Sequence, residues 1–212
     1  LHAVTDGGAP ALRAVATDGH RLARVEVDLP EGSATMPGVI FPRKAVLEVR
    51  KLLEAVEGLV EVALSETKVR IAVGSAVLTS KLIDGTFPDY QRVIPEGNSR
   101  IMKIDGSVFA EAVDRVSTVS SDKSRAIKLS LHSGKLVLSA NSPDQGSASE
   151  ELPVAYDSDD LDIGFNSRYV LEMTEQIKGD SMRFEMEDGA SPTVIIDGDD
   201  PRTIYVLMPM RV

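Results

Sequence analysis

Phe41-Pro42-Arg43-Lys44-Ala45-Val46-Leu47-Glu48-Val49-Arg50-Lys51-Leu52-Leu53-Glu54-Ala55-Val56 decides how the chain is built. Its apolar positions Ala45, Val46, Val49, Leu52, Leu53 and Val56 recur at helical spacing and form one stripe. Pro42 stands where a first-turn proline belongs, because its missing N–H costs nothing there. The spacing predicts a helix over Arg43–Val56. At an offset of 124 positions, the distance from Lys44 to Arg168, the stretch meets a second version of itself. Phe41 falls on Phe165, and Val46-Leu47-Glu48 on Val170-Leu171-Glu172. Leu12 meets Leu136 and Ala16 meets Ala140 at the same offset, without a gap. Such a period implies two copies of one unit, each reading strand, turn, strand, strand, helix and further strands.

Two more helices follow from the same period. Val108 to Val119 carries Val108, Phe109, Ala112, Val113, Val116 and Val119 on one stripe, with Asp105 or Ser107 as its cap. Ser167 to Lys178 carries Val170, Leu171, Met173, Thr174 and Ile177, capped by Asn166 or Ser167 and stopped by Gly179. Val60–Leu64, Lys68–Val73 and Ala76–Ile83 read as a meander turning at Gly74-Ser75. Lys135–Ala140, Met182–Met186, Thr193–Ile196 and Thr203–Met208 do the same in the second half. Asp84 to Ser99, with Pro88, Pro95 and Gly97, reads as the linker. The expectation is an α+β chain of antiparallel sheets with helices on one side, in two similar domains, 1–97 and 98–212.

Composition narrows the function. With 42% hydrophobic residues but 4% aromatic ones and no Trp, the 212-residue chain buries aliphatic cores. It has no Cys, which excludes disulfides, Cys-based zinc sites and a Cys nucleophile. A reducing cytoplasm fits that composition. No apolar run approaches the roughly 18 residues of a membrane span. The chain opens on Leu1, and Leu1–Val4 already reads as strand, so an upstream part is expected. The net charge of −10 argues against nucleic acid as a partner of the whole surface. A local basic strip remains compatible with it.

Several short features bear on chemistry. Asp18-Gly19 within Thr17-Asp18-Gly19-His20-Arg21-Leu22 is a hairpin turn. Either it is only that, or Thr17, His20 and Arg21 line a cleft. Acid–base work by Asp18 and His20 lacks a neighbouring nucleophile in the sequence. The acidic runs Asp157–Asp162 and Asp197–Asp200 lack the ligand spacing of a calcium loop and read as solvated. Arg43, Lys44 and Arg168 sit in helix first turns, where positive charge opposes the macrodipole by about 0.3–1 kcal/mol. They are either solvated charges or aimed at an anion. The end, Tyr205-Val206-Leu207-Met208-Pro209-Met210-Arg211-Val212, is either core packing or an adaptable Met-rich surface.

In order along the chain, Ala16-Thr17-Asp18-Gly19-His20-Arg21-Leu22-Ala23, Phe41-Pro42-Arg43-Lys44, Thr79-Ser80-Lys81-Leu82-Ile83-Asp84-Gly85-Thr86-Phe87-Pro88-Asp89-Tyr90, Gly164-Phe165-Asn166, Tyr169-Val170-Leu171 and Met208-Pro209-Met210-Arg211 resemble the bacterial DNA polymerase III beta subunit family, the replicative sliding clamps. The resemblance implies a DNA-clamp fold of repeated domains with the first domain absent. It implies a two-subunit ring around duplex DNA, bound without sequence preference, and no catalysis, cofactor, metal or membrane. Partners would be the polymerase, the clamp loader and other proteins carrying a clamp-binding motif. The resemblance carries the peptide pocket onto Thr17, Gly19, His20, Arg21, Leu22, Pro88, Arg92, Val93, Asn166, Tyr169, Val206, Leu207, Met208, Pro209, Met210 and Arg211. It makes Arg43, Lys44, Arg168, Arg115, Lys123 and Arg125 the DNA-facing candidates. A chain lacking the first domain is expected to be mainly monomeric.

Overall fold

A computed structural model describes residues 1–5, 9–56, 58–120, 125–198 and 200–212. The chain forms two compact units, Leu1–Ala14 with Glu26–Asp89, and Val15–Val25 with Tyr90–Val212.

In the first unit, β1 (His2–Val4) pairs antiparallel with the start of β2 (Ala11–Thr17), placing Val4 opposite Ala11. The tip between β2 and β3 (Arg21–Asp28) falls with the second unit. Helix α1 spans Arg43–Ala55, with Pro42 as an extended cap that supplies no side-chain bond. The meander β4 (Val60–Leu64), β5 (Lys68–Val73) and β6 (Ala76–Lys81) lies beneath it. Val69, Ile71 and Val73 alternate along β5 and form the core, packed by Phe41, Val49, Leu52, Leu64 and Leu82. Half of the helix's apolar stripe stays outside this core, because Val46 is 51% exposed and Leu53 and Val56 are exposed too. Val170, which stands at Val46's place in the second copy, is 0% exposed. There a second helix packs against its helix, whereas α1 is the only α-helix of the first unit among the described residues.

The second unit begins with a 3-10 turn, Tyr90–Val93, in which Tyr90 is buried. β7 (Arg100–Asp105) leads into α2 (Gly106–Ser117), where the Asp105 side chain accepts the Val108 N–H. β8 (Ala126–His132), β9 (Lys135–Ser142), β10 (Gly146–Pro153) and β12 (Leu161–Asn166) form a four-stranded sheet ordered β10-β9-β8-β12, and β11 is the short pair Ala155–Tyr156. α3 (Ser167–Thr174) follows β12, then β13 (Ser181–Met186), β14 (Thr193–Asp197) and β15 (Asp200–Leu207). These join the first half of β3 in a second sheet ordered β3-β15-β14-β13-β7-β11. The core between the layers gathers Phe109, Val113 and Val116 of α2, Leu129, Leu131, Leu136 and Leu138, Val170 of α3, and Met182, Phe184 and Met186. Phe109 meets Phe184 in a T-shaped contact at 5.3 Å. A smaller cluster, Val194, Ile196 and Ile204, covered by Ile94, occupies the other face of β14 and β15.

Three expectations shift. The joint expected near residue 97 lies between Asp89 and Tyr90. The segment that follows is packed: Ile94 covers the small cluster, and Asn98 Nδ2 donates to the Glu185 and Pro192 carbonyls. Val108, expected on the buried stripe, is exposed, while Phe109 and Ala112 carry that face. The third helix stops at Thr174 and does not continue to Gly179. The Lys178 and Gly179 amides donate to the Asp197 carboxylate, both at 2.9 Å, and this draws the chain off the helix.

Of the two expected caps for α3, Asn166 serves: its Oδ1 accepts the Arg168 N–H at 3.0 Å. Asn166→Ala is expected to cost about 1 kcal/mol, and Asn166→Asp to restore most of it. Chemical denaturation of the three proteins checks this; equal midpoints would remove the cap from the account.

Candidate functional site

The hairpin tip that carries Thr17–Leu22 is fixed by its own polar groups. Gly19 takes φ +86°, a backbone that a side chain resists. Thr17 Oγ1 donates to the Arg21 carbonyl at 2.8 Å, and the Asp18 carboxylate accepts the His20 and Arg21 amides, both at 3.1 Å. Burial pushes the Asp18 carboxyl up, but the His20 amide and the Arg21 side chain and amide outweigh it and hold it below its usual range. Asp18 is therefore a brace for the turn.

Arg21 joins the tip to α3. Its Nε donates to Asp18 at 3.1 Å and its Nη2 to Glu172 Oε2 at 2.6 Å. Its guanidinium carbon lies 4.4 Å from the centre of the Tyr169 ring, on which His20 also stacks at 6.3 Å. Such a cation on an aromatic face is favourable by about 0.5–1 kcal/mol at a surface. Glu172 Oε1 accepts Arg168 Nε at 2.6 Å. Hydrogen bonds from Arg168 and then Arg21 hold the Glu172 carboxyl below its ordinary value.

A carboxyl depressed in the fold stabilises it above its unfolded pKa and loses that contribution as pH falls through the folded value. Wild type is therefore expected to lose its stability margin over Glu172→Gln as pH drops below the ordinary carboxylate range. Thermal melts of both proteins across acid pH check this; a margin that persists at the lowest pH would contradict it.

The C-terminal tail reaches the same tip through its backbone. The Met208 N–H donates to the His20 carbonyl and the Met210 N–H to the Gly164 carbonyl, both at 2.9 Å. Gly164 is required for this approach, because a Cβ there would run into the Val212 side chain and stand 2.5 Å from the Met210 carbonyl oxygen. Val206 lies opposite Leu22 in the ladder and Leu207 opposite Arg21. Leu22, Val206 and Leu207, among the residues the resemblance carried into the pocket, are buried. Strand alternation puts Leu207 in the main core and Leu22 with Val206 on the opposite face. Met208, 39% exposed, and Val93, 41% exposed, are apolar side chains left outside.

The second unit thus assembles Thr17, Gly19, His20, Arg21, Tyr169, Asn166 and the Met208–Arg211 tail around one turn, with Arg92 and Val93 in the 3-10 turn of the same unit. Pro88 belongs to the first unit and is exposed. Asp18, Gly164 and Glu172 were not among the expected site residues. The Arg168–Glu172 pair shows in the sequence as an i,i+4 spacing. The Arg21–Glu172 bond joins positions 151 apart, and no local pattern signals it.

The six cations expected to face DNA differ in their surroundings. Arg43 and Lys44 are exposed in the first turn of α1, and Arg168 and Arg125 are exposed in the second unit. Arg125 has φ +48°. Arg115 is tied to Glu150 at 2.6 Å and to Glu111, and the Glu150 bond above all pushes its pKa above the ordinary arginine value. Lys123 lies outside the described residues. Among the described residues no group of acidic or His side chains forms a metal cluster, and no helix is long and apolar enough to cross a membrane.

Residues 4–89 match the family model described as DNA polymerase III beta subunit, central domain, and residues 91–211 match its C-terminal domain. The chain is 50% identical to the beta sliding clamp of Caulobacter vibrioides over 212 residues, all of this chain and 57% of that one. It is 40% identical to the beta sliding clamp of Pseudomonas aeruginosa over 200 residues, 94% of this chain and 54% of that one. The crystal structure of a DnaN sliding clamp from Bartonella birtlesii bound to griselimycin superposes with a TM-score of 0.95 at 52% identity, covering 100% of this chain and 57% of that one. The chain spans a little over half the length of the relatives it matches.

Proposed function

Because the chain belongs to the DNA polymerase III beta subunit family, we propose that it supplies the middle and C-terminal parts of a replicative sliding clamp, a non-catalytic processivity factor of the cytoplasm. One observation carries the docking role: a hairpin tip, a helix start and a C-terminal tail, remote in sequence, are bonded together around Tyr169 and Arg21. Exposed Met208 and Val93 offer apolar contacts and Arg21 a polar one, the combination that anchors a short peptide. The occupants are the clamp-binding segments of the polymerase, the clamp loader and other replication or repair proteins. Leu22 and Val206 serve this site from beneath, by fixing the strands that carry the tip and the tail.

Duplex DNA is the second partner. Arg43, Lys44, Arg168 and Arg125 contact phosphates, which carry no sequence information, and the net charge of −10 repels DNA elsewhere. Retention on DNA comes from closure of a two-subunit ring by the full-length protein. This chain alone is monomeric and holds linear duplex weakly.

A fluorescent peptide with the glutamine-and-leucine motif of clamp partners should bind saturably, and replacing its glutamine and leucine by alanine should abolish binding. Griselimycin, held by the Bartonella relative, should compete with the peptide. Absence of peptide binding would overturn the docking role. Nanomolar binding to one linear duplex sequence in physiological salt would overturn the DNA role.

A further inference from the structure

We infer that Glu172 is the positioning residue of the docking site: it holds the Arg21 guanidinium over Tyr169, where Arg21 meets the bound peptide. The inference rests on the docking role proposed above. Arg21 projects from an exposed turn on a long side chain, and an unrestrained guanidinium would sample many rotamers. Ordering such a side chain costs conformational entropy, which weakens binding unless the protein has already fixed the side chain. Here the protein fixes it from three directions, through Asp18 on the same turn, Tyr169 beneath, and Glu172 at 2.6 Å.

Of these, Asp18 cannot position Arg21 in space, because it moves with the turn that carries Arg21. Glu172 can, because it stands on α3, whose first turn is capped by Asn166 and whose Val170 and Met173 are buried in the core. Each of its oxygens already accepts a guanidinium, Oε1 from Arg168 and Oε2 from Arg21. Glu172 thus acts on the peptide through Arg21 and not by contact. The same carboxylate also keeps the guanidinium over the ring that His20 shares, so the polar rim of the site is set by one side chain.

A double-mutant cycle on the whole chain tests this, using the fluorescent glutamine-and-leucine peptide as probe. Glu172→Gln should weaken binding about threefold to tenfold, and in an Arg21→Gln background the same change should have almost no effect. The Arg21 Nε–H resonance supplies a readout independent of stability. It should lie upfield under the Tyr169 ring in wild type and return towards the free-arginine position in Glu172→Gln, while melting shows that the fold persists. Equal losses in both backgrounds, or an unmoved resonance, would overturn the inference. If wild type binds and Glu172→Gln binds equally well, the inference alone falls. If wild type fails to bind the peptide, the docking role falls and takes the inference with it.

Discussion

Replacing Gly164 with alanine is expected to lift the C-terminal tail off β12 and to weaken peptide binding by at least about tenfold, equivalent to 1.4 kcal/mol. The three nearest atoms that a Cβ at Gly164 would meet all belong to the tail, two on the Val212 side chain and one the Met210 carbonyl oxygen. The close contacts all lie in the tail, so the tail is what moves. Eviction breaks the Met210 N–H bond to Gly164 and frees the Met208–Arg211 segment from the turn. Hydrogen exchange at the Met210 amide should rise sharply, while the cooperative melt should persist because Leu207 and the residues before it remain in the ladder. Unchanged affinity with a released tail would show that the tail does not line the site. Collapse of the fold would show that it serves as core.

The largest loss of stability is expected from Phe184→Ala. Phe184 is fully buried on β13 and packs against Phe109 of α2, so truncation removes a ring from the centre of the second unit. Large-to-small changes of this kind cost about 3–5 kcal/mol, partly as lost transfer energy and partly as the cavity left behind. For a unit of this size the melting midpoint should fall by roughly 10 °C or more. Peptide affinity measured well below the new midpoint should be near that of wild type, since the hydrogen bonds that join the turn and the tail run through other residues. Calorimetry and peptide titration check the two halves of this statement. A cost under about 1 kcal/mol would mean that the methionines around it, Met102, Met182 and Met186, refill the space.

How much of this was legible in the sequence follows from the range over which each interaction acts. The stripe of Arg43–Val56 and the turn at Asp18-Gly19 are local, and both appear where the spacing places them. The repeat correctly paired α1 with α3, yet their surroundings differ, because α2 covers Val170 and nothing equivalent covers Val46 among the described residues. The early stop of α3 depends on Asp197, well downstream, and no helix-end rule sees it. The site divides in the same way. The turn, the helix start and the tail were recognisable as motifs, but which side chains face outward was not. That Leu22, Val206 and Leu207 are buried shows only in the register of β3 against β15. Glu172 became visible only when folding brought it to Arg21.

The placement of Val15–Val25 in the second unit bears on any attempt to cut the protein in two. A piece beginning at Tyr90 would contain a full match to one family domain, yet it would lack Arg21–Val25, which ladder onto Thr203–Leu207. β15 would then become an edge strand with a row of unpaired N–H and C=O groups, a template for the same strand in another molecule. Such a piece should assemble edge to edge into oligomers. A synthetic Val15–Val25 hairpin added in trans should cap the edge and return it to a monomer.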